Sequence, residues 1–227
     1  MDDTNRYVKE IVQEKRSMFP AEDLVRVMLG SYPKLSPTNQ KFRILDLGCG
    51  EGRNAVFLRE IGHDVYGVEV HKDIVKELRN RHPNIRFELG GNKSIPYPDN
   101  FFDVIVSWQA LYYLDSRGDS VIDNISEMSR CIRKSGKLIA CVPFKSNFIY
   151  NNSKLVRLDE EFGIEYREIS DYFQQRNGAI LACFPEVTIF LNLLNTQGFT
   201  NHRMGIRRGD WFGLNYDWFT VVSDKLF

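Results

Sequence analysis

The chain has no excess of charge. Its 30 Lys plus Arg are balanced by 30 Asp plus Glu among 227 residues, so no global field recruits nucleic acid. Cysteine is scarce. Cys49, Cys131, Cys141 and Cys183 form no C-x-x-C pair, which argues against a zinc site and a disulfide scaffold and fits reduced thiols in a cytoplasmic protein. The four histidines, His63, His71, His82 and His202, have no metal-ligand spacing, so no metal is expected. No apolar run approaches the ~18 residues of a membrane-spanning helix. The opening Met-Asp-Asp-Thr-Asn-Arg is polar and acidic, unlike a signal peptide. Internal repeats and low-complexity tracts are also missing.

What is present concentrates in residues 44–60. A short apolar strand over 42–47 carries one acid, Asp46, and enters a turn with glycines at 48, 50 and 52. A helical pattern follows at once, with Phe57, Leu58 and Ile61 on one face. Glycines permit positive φ in such a turn and let a ligand approach bare backbone. The helix start then offers N–H groups to an anion. A Walker loop is excluded, because no Gly-Lys-Ser/Thr follows. The third glycine also comes one residue earlier than in the dinucleotide fingerprint, with Arg53 in its place.

About 43% of residues are hydrophobic, enough for the core of one α/β domain with additions. Helices are expected over 4–16 and 21–31, then a Pro-containing linker to residue 39. Strands over 42–47, 65–69, 85–89, 102–107 and 137–142 alternate with helices over 52–61, 71–81 and 118–133. The last of these ends at Ser135-Gly136. That alternation predicts a parallel, doubly wound sheet. After Pro143 the rhythm breaks. Residues 144–184 supply no further strand–helix unit. Asn177-Gly178 suggests a hairpin turn between 172–175 and 179–184, a candidate lid or homodimer contact. A helix from about Pro185 to Leu194 and strands over 200–207 and 217–223 close the chain. Arg203, Arg207 and Arg208 form a local basic group, read as a solvated loop with an anionic substrate contact as the second reading.

Asp46 followed by glycines at 48, 50 and 52 resembles motif I of the class I S-adenosylmethionine-dependent methyltransferases. Gly52-Arg53-Asn54-Ala55 also resembles the tellurite-resistance type within that family. A second match is Gly90-Gly91-Asn92-Lys93-Ser94-Ile95-Pro96-Tyr97-Pro98-Asp99-Asn100-Phe101-Phe102-Asp103, against a usual G-D-A-x-x-L-P-F-x-D-x-S-F-D. The resemblance covers residues 41–142 strongly and 185–224 weakly. It implies a Rossmann-like, seven-stranded, mostly parallel sheet with an antiparallel last strand and helices on both faces. It also implies an N-terminal helical cap over 1–40 and a methyltransferase domain over 41–227, with a substrate-side insertion at about 144–184.

The implied cofactor is S-adenosylmethionine. Its methionine part would lie against Gly48, Cys49 and Gly50, with Asp46 on the amino group and Arg53 and Asn54 near the carboxylate. Glu69, 23 residues after Asp46, would accept both ribose hydroxyls, with Val70 beside it. His71 is a further candidate beside the ribose or adenine. The acid that usually meets the adenine amino group falls at Gly91, so adenine recognition passes to backbone groups or to Asn92, next to Lys93. Ser107, Trp108 and Gln109 end the fourth strand, where ligands of open α/β sheets bind. Trp108 and Tyr112 are the substrate candidates, an aromatic face suiting a sulfonium.

No catalytic base is identified. Ser107-Trp108-Gln109-Ala110 lacks the Asp/Asn-Pro-Pro-Tyr/Phe motif of amino-methylating DNA and glutamine enzymes. The expected activity is methyl transfer to an oxygen or nitrogen of a small molecule, a metabolite or sugar-like acceptor. The alternatives are a non-catalytic binding module of the same fold and a nucleotide-dependent oxidoreductase.

Overall fold

The computed structural model describes residues 8, 11, 12, 19–33, 35, 40–170, 172, 173 and 176–226. Of the helix expected over 4–16, Val8, Ile11 and Val12 are helical, and the rest lies outside the described residues. The first full helix, α1 (Glu22–Leu29), buries Leu24 and Val27.

The strand–helix alternation then unfolds as expected: β1 (Arg43–Leu47), α2 (Arg53–Glu60), β2 (Asp64–Glu69), α3 (Lys72–Arg81), β3 (Arg86–Leu89), β4 (Phe102–Trp108), α4 (Val121–Cys131) and β5 (Ile132–Pro143). Each helix turns a 3.6-period apolar stripe to the sheet. Ile74, Val75 and Leu78 do so from α3, and Val121, Ile125 and Met128 from α4. Ser120 caps α4, its hydroxyl accepting from the Ile122 N–H at 3.2 Å. Val104, Ile105 and Val106 are buried on both faces of β4, as a central parallel strand requires.

Two later strands complete this sheet, β9 (Phe199–Arg207), preceded by α5 (Val187–Thr196), and β12 (Trp218–Lys225), with the short separate hairpin β10 (Asp210–Trp211)/β11 (Leu214–Asn215) between them. The seven-stranded order is β3-β2-β1-β4-β5-β12-β9. The first five strands run parallel. The last strand, β12, runs antiparallel to both β5 and β9. The chain therefore reverses strand order at β1/β4, and a crevice opens above the carboxyl ends of those strands.

Three details depart from the sequence reading. First, β5 begins at Ile132, directly after α4, rather than at Lys137. Ile132 is fully buried and pairs with Phe102, and the left-handed Ser135 (φ 61°) together with Gly136 absorbs the extra residues before Lys137 pairs with Val104. Second, residues 144–184 contain a three-stranded antiparallel sheet, β6 (Lys154–Asp159), β7 (Ile164–Glu168) and β8 (Ile180–Cys183). The strand paired with β8 is β7, whereas Tyr172 and Phe173 lie in a turn and 174–175 are outside the described residues. β7, rich in charge, has the period of a strand: Ile164 and Tyr166 point inward, Glu165 and Arg167 outward. Third, the β10/β11 hairpin was not anticipated. Its central residues Phe212 (φ 51°) and Gly213 (φ 86°) are both left-handed, as a tight two-residue turn demands.

One glycine in the middle of β2 is required by packing. Gly67 is paired with Phe87 of β3, and a Cβ there would collide with the Phe87 ring and stand 3.1 Å from Cys49 Sγ. Gly67→Ala is therefore expected to lower stability by about 1–3 kcal/mol, the usual range for overpacking, read as a lower urea midpoint at unchanged m-value.

Candidate cofactor and acceptor site

The crevice is a cleft of about 580 Å³ whose floor is the turn after β1, whose far wall is the ends of β2 and β3, and whose near wall is the segment after β4. Its shape rests on the turn. Gly48, Gly50 and Gly52 all have positive φ, at 68°, 52° and 82°. The N–H groups of Gly48 and Cys49 both donate to Val68 O, at 2.9 and 3.0 Å, which locks the turn to β2. A Cβ on Gly48 would come within 2.5 Å of Ala110 Cβ, so only glycine lets the segment after β4 lie this close.

Asp46 sits beneath the turn. It is 1% exposed and lies beneath the cleft lining rather than in it. One side of its carboxylate takes the Ala55 N–H at the start of α2, and Oδ2 has no hydrogen-bond partner. Burial pushes its carboxyl up to about 7, against the lowering influence of the Ala55 N–H and Arg53. Glu69, also buried, bridges the floor: Oε2 accepts from Gly50 N–H at 3.0 Å and Oε1 from His71 N–H at 3.1 Å.

The structure brings Gly48, Cys49, Gly50, Arg53, Asn54, Glu69, Val70, His71, Gly91, Asn92, Trp108, Gln109 and Tyr112 to the one cleft. Besides Asp46, two expected members are not among its lining residues. Lys93 turns away to pair with Asp119 at 2.8 Å. Ser107 is fully buried within β4, where the strand alternation sends its side chain away from the cleft.

Others are present in a different capacity. Asn54 Oδ1 accepts from Ala21 N–H at 3.0 Å, so it fastens the segment before α1. Asn92 donates through Nδ2 to Ala110 O at 2.9 Å and Tyr113 O at 3.1 Å. A second buried asparagine, Asn124 of α4, donates to Leu111 O at 2.8 Å and Tyr113 O at 2.9 Å. The two amides clamp residues 110–113 over the glycine turn. Tyr112 and Cys49 are buried, and desolvation raises both well above their ordinary values, so they form wall rather than acid–base chemistry.

Sequence reasoning missed Asp115, Arg176 and Ala179, which also line the cleft. The second sheet carries Arg176 and Ala179 there. Ala182 N–H donates to Tyr112 O at 2.8 Å, and Arg176 Nε donates to Tyr113 OH at 2.7 Å. A smaller chamber of about 180 Å³ adjoins the cleft and shares Arg53, Trp108 and Gln109 with it. Phe19, Tyr216 and Trp218 wall it, and Trp218 Nε1 is buried without a partner. Of the basic group, Arg207 lies here, 3.7 Å from Asp23, Arg203 pairs with Asp224 at 3.3 Å, and Arg208 stands over the Phe144 ring. Gln109, at the junction, has φ 59°, an uncommon conformation for a non-glycine residue. Among the described residues no cluster of metal-ligating side chains occurs, and no helix is long and apolar enough to cross a membrane.

Comparison with known proteins places this geometry. Residues 45–140 match the family model described as "Methyltransferase domain". A probable S-adenosylmethionine-dependent methyltransferase of Mycobacterium tuberculosis is 28% identical over 117 residues, 52% of this chain and 41% of that protein. The chain thus spans about two fifths of the length of that relative. The methyltransferase GfsG of Streptomyces halstedii is 24% identical over 81% of this chain and 74% of its own. Among solved structures, the 1,6-didemethyltoxoflavin-N1-methyltransferase of Burkholderia thailandensis has the same fold. It aligns with a TM-score of 0.60 at 16% identity, over 90% of this chain and 76% of that one.

The asparagine clamp gives a direct test. Asn124→Ala leaves Leu111 O buried without its donor and is expected to cost about 1–3 kcal/mol of stability, measured by urea denaturation.

Proposed function

This chain belongs to the class I S-adenosylmethionine-dependent methyltransferase family, and from that premise we propose that it methylates an oxygen or nitrogen atom of a small, ring-bearing acceptor held in the chamber beside the cleft. The observation that carries this reading is the shared Trp108–Gln109 wall, which lets two ligands meet end to end.

The residues present fit the cofactor. Asp46 Oδ2 is an unpartnered buried acceptor below the glycine turn, suited to a cationic amino group directly or through water. Arg53 and the first N–H groups of α2 suit a carboxylate. Glu69 would exchange its Gly50 and His71 donors for ribose hydroxyls. When bound, S-adenosylmethionine supplies an electrophilic methyl on a sulfonium.

The chain's own work is alignment and exclusion of water. Trp108 offers a ring face to the cation, and the clamped 110–113 segment closes the cleft. Poised geometry of this kind can account for roughly 7–11 kcal/mol of barrier. In the chamber, Phe19, Tyr216 and Trp218 suit a ring, and the Trp218 N–H suits an acceptor oxygen or nitrogen on it. About 180 Å³ admits a small ring system and not a folded macromolecule. The similar Burkholderia thailandensis enzyme is named for N1-methylation of a small molecule, which supports the same substrate scale.

Calorimetry tests the reading first. Micromolar binding of S-adenosylhomocysteine with none of NAD is expected, and Glu69→Ala should weaken it by roughly ten- to a hundredfold. Absence of binding in the wild-type chain would discard the reading. Detectable binding without methyl transfer to any compound of a cell extract would favour the non-catalytic module.

The buried acid sets a pH dependence. The folded Asp46 carboxyl, at about 7, lies above its ordinary 3.8. It therefore destabilises the ligand-free fold progressively as pH rises from about 4 to about 7. A cationic amino group binds the ionised form, so affinity should climb between pH 5.5 and 7 and then level. Asp46→Asn should flatten that climb; an unchanged slope would remove Asp46 from the cofactor site.

A further inference from the structure

The turn after β3 satisfies itself. Gly91 N–H donates to Ser94 O at 3.2 Å, and Ser94 N–H returns to Gly91 O at 3.3 Å. The Asn92 amide donates to the segment after β4, as described above. Neither leaves a strong acceptor at position 91, where the family pattern has an acid. Yet the space is not empty. A Cβ built on Gly91 would lie 2.5 Å from Asp115 Oδ2 and 3.0 Å from Oδ1. A carboxylate from 24 residues further along the chain occupies the place into which a side chain at 91 would project. Asp115 stands at the rim of the same cleft as Glu69, Val70 and Gly91.

We infer that Asp115 is the residue that reads the adenine ring, accepting a hydrogen bond from its exocyclic amine. The inference rests on the proposed function. With Glu69 at the end of β2 on the ribose, a base extends over Val70 toward the end of β3, where Gly91 and Asp115 meet. An ionised carboxylate only accepts hydrogen bonds, so it favours an amine over a carbonyl at that ring position. Lys93 does not pair with it: its ammonium pairs with Asp119, its backbone N–H donates to Asp115, and its charge lowers the Asp115 carboxyl less than burial raises it. Partial burial, reinforced by the Asp119 carboxylate, raises the Asp115 carboxyl above its ordinary range, so a donor from the base would favour the charged form. Gly91 is glycine here because the acid has moved to the opposite wall.

The test compares S-adenosylhomocysteine with S-inosylhomocysteine, which carries a carbonyl in place of the amine, by calorimetry on the full chain. The wild-type chain should prefer the adenosyl ligand by tenfold or more. Asp115→Ala should lose about tenfold for the adenosyl ligand and little for the inosyl one. Asp115→Asn, whose amide can donate, should shift preference toward the inosyl ligand. Gly91→Asp alone should bind both ligands poorly through collision with Asp115, and Gly91→Asp with Asp115→Gly should recover the adenosyl preference. Circular dichroism melts confirm that each variant is folded. Unchanged discrimination in folded Asp115→Ala overturns the assignment while leaving the cofactor reading intact. Binding of neither ligand by the wild-type chain overturns both.

Discussion

Everything at the functional end of this molecule depends on how closely the segment after β4 can lie against the turns after β1 and β3. Two contacts without side chains set the distance. Gly48 faces Ala110 Cβ, and Gly91 faces the Asp115 carboxylate, each with room for a hydrogen and not for a methyl. Close approach alone would bury carbonyl oxygens at a cost. Asn92 and Asn124 remove that cost by donating to Ala110, Leu111 and Tyr113, from the β3 turn and from α4. A loop that would otherwise be mobile is thereby made into a wall. The same wall bonds the second sheet through the Ala182 N–H and Tyr112 O. The cleft, its cover and the neighbouring chamber therefore share one mechanical support.

The parallel half of the sheet was legible because each strand–helix unit carries its own local evidence. The apolar runs of β1 and β4, the stripes of α3 and α4, and the glycine turn all follow from period and composition. The second sheet was not legible, for a physical reason that β7 makes plain. A five-residue strand with Glu and Arg on its outer positions and a terminal Glu looks like a charged loop until Ile164 and Tyr166 are seen to pack. Tyr166 is buried with the Arg157 guanidinium over its ring and Ser120 Oγ at 2.8 Å. Ser120 lies 46 residues away, outside any local window of sequence. The early start of β5 is similar, since Ile132 extends only because Phe102 is there to pair with it.

At the site the division falls along the same line. The cofactor residues expected in the turns after β1 and β2 all line the cleft, because a turn keeps its residues together in one stretch of chain. Position-by-position transfer failed where a neighbour from elsewhere had changed the geometry. Lys93 has Asp119 as a partner, and Ser107 faces into the sheet by strand alternation. Asp115 carries no local motif at all. The only trace of it in the sequence was an absence, the glycine at 91, and an absence does not say what fills it.

The acids in and beneath the cleft differ in burial, and under the proposed function that difference suits each to a different ligand group. Asp46 is sealed beneath the turn, where removal of water penalises its charge and pushes its carboxyl to about 7. It gains most from a ligand that brings positive charge. Glu69 is buried too, but it already holds two backbone N–H groups, so a neutral pair of hydroxyls can replace them with little electrostatic change. Asp115 is at the rim, where water tempers its field and a hydrogen bond discriminates by direction more than by strength. Read in that order along the cleft, the three carboxylates favour a cation, then hydroxyls, then an amine on a ring. One extended ligand carrying all three groups would satisfy every acid in turn. An isolated fragment would satisfy only one, so the order of burial along the cleft selects the whole ligand over its parts.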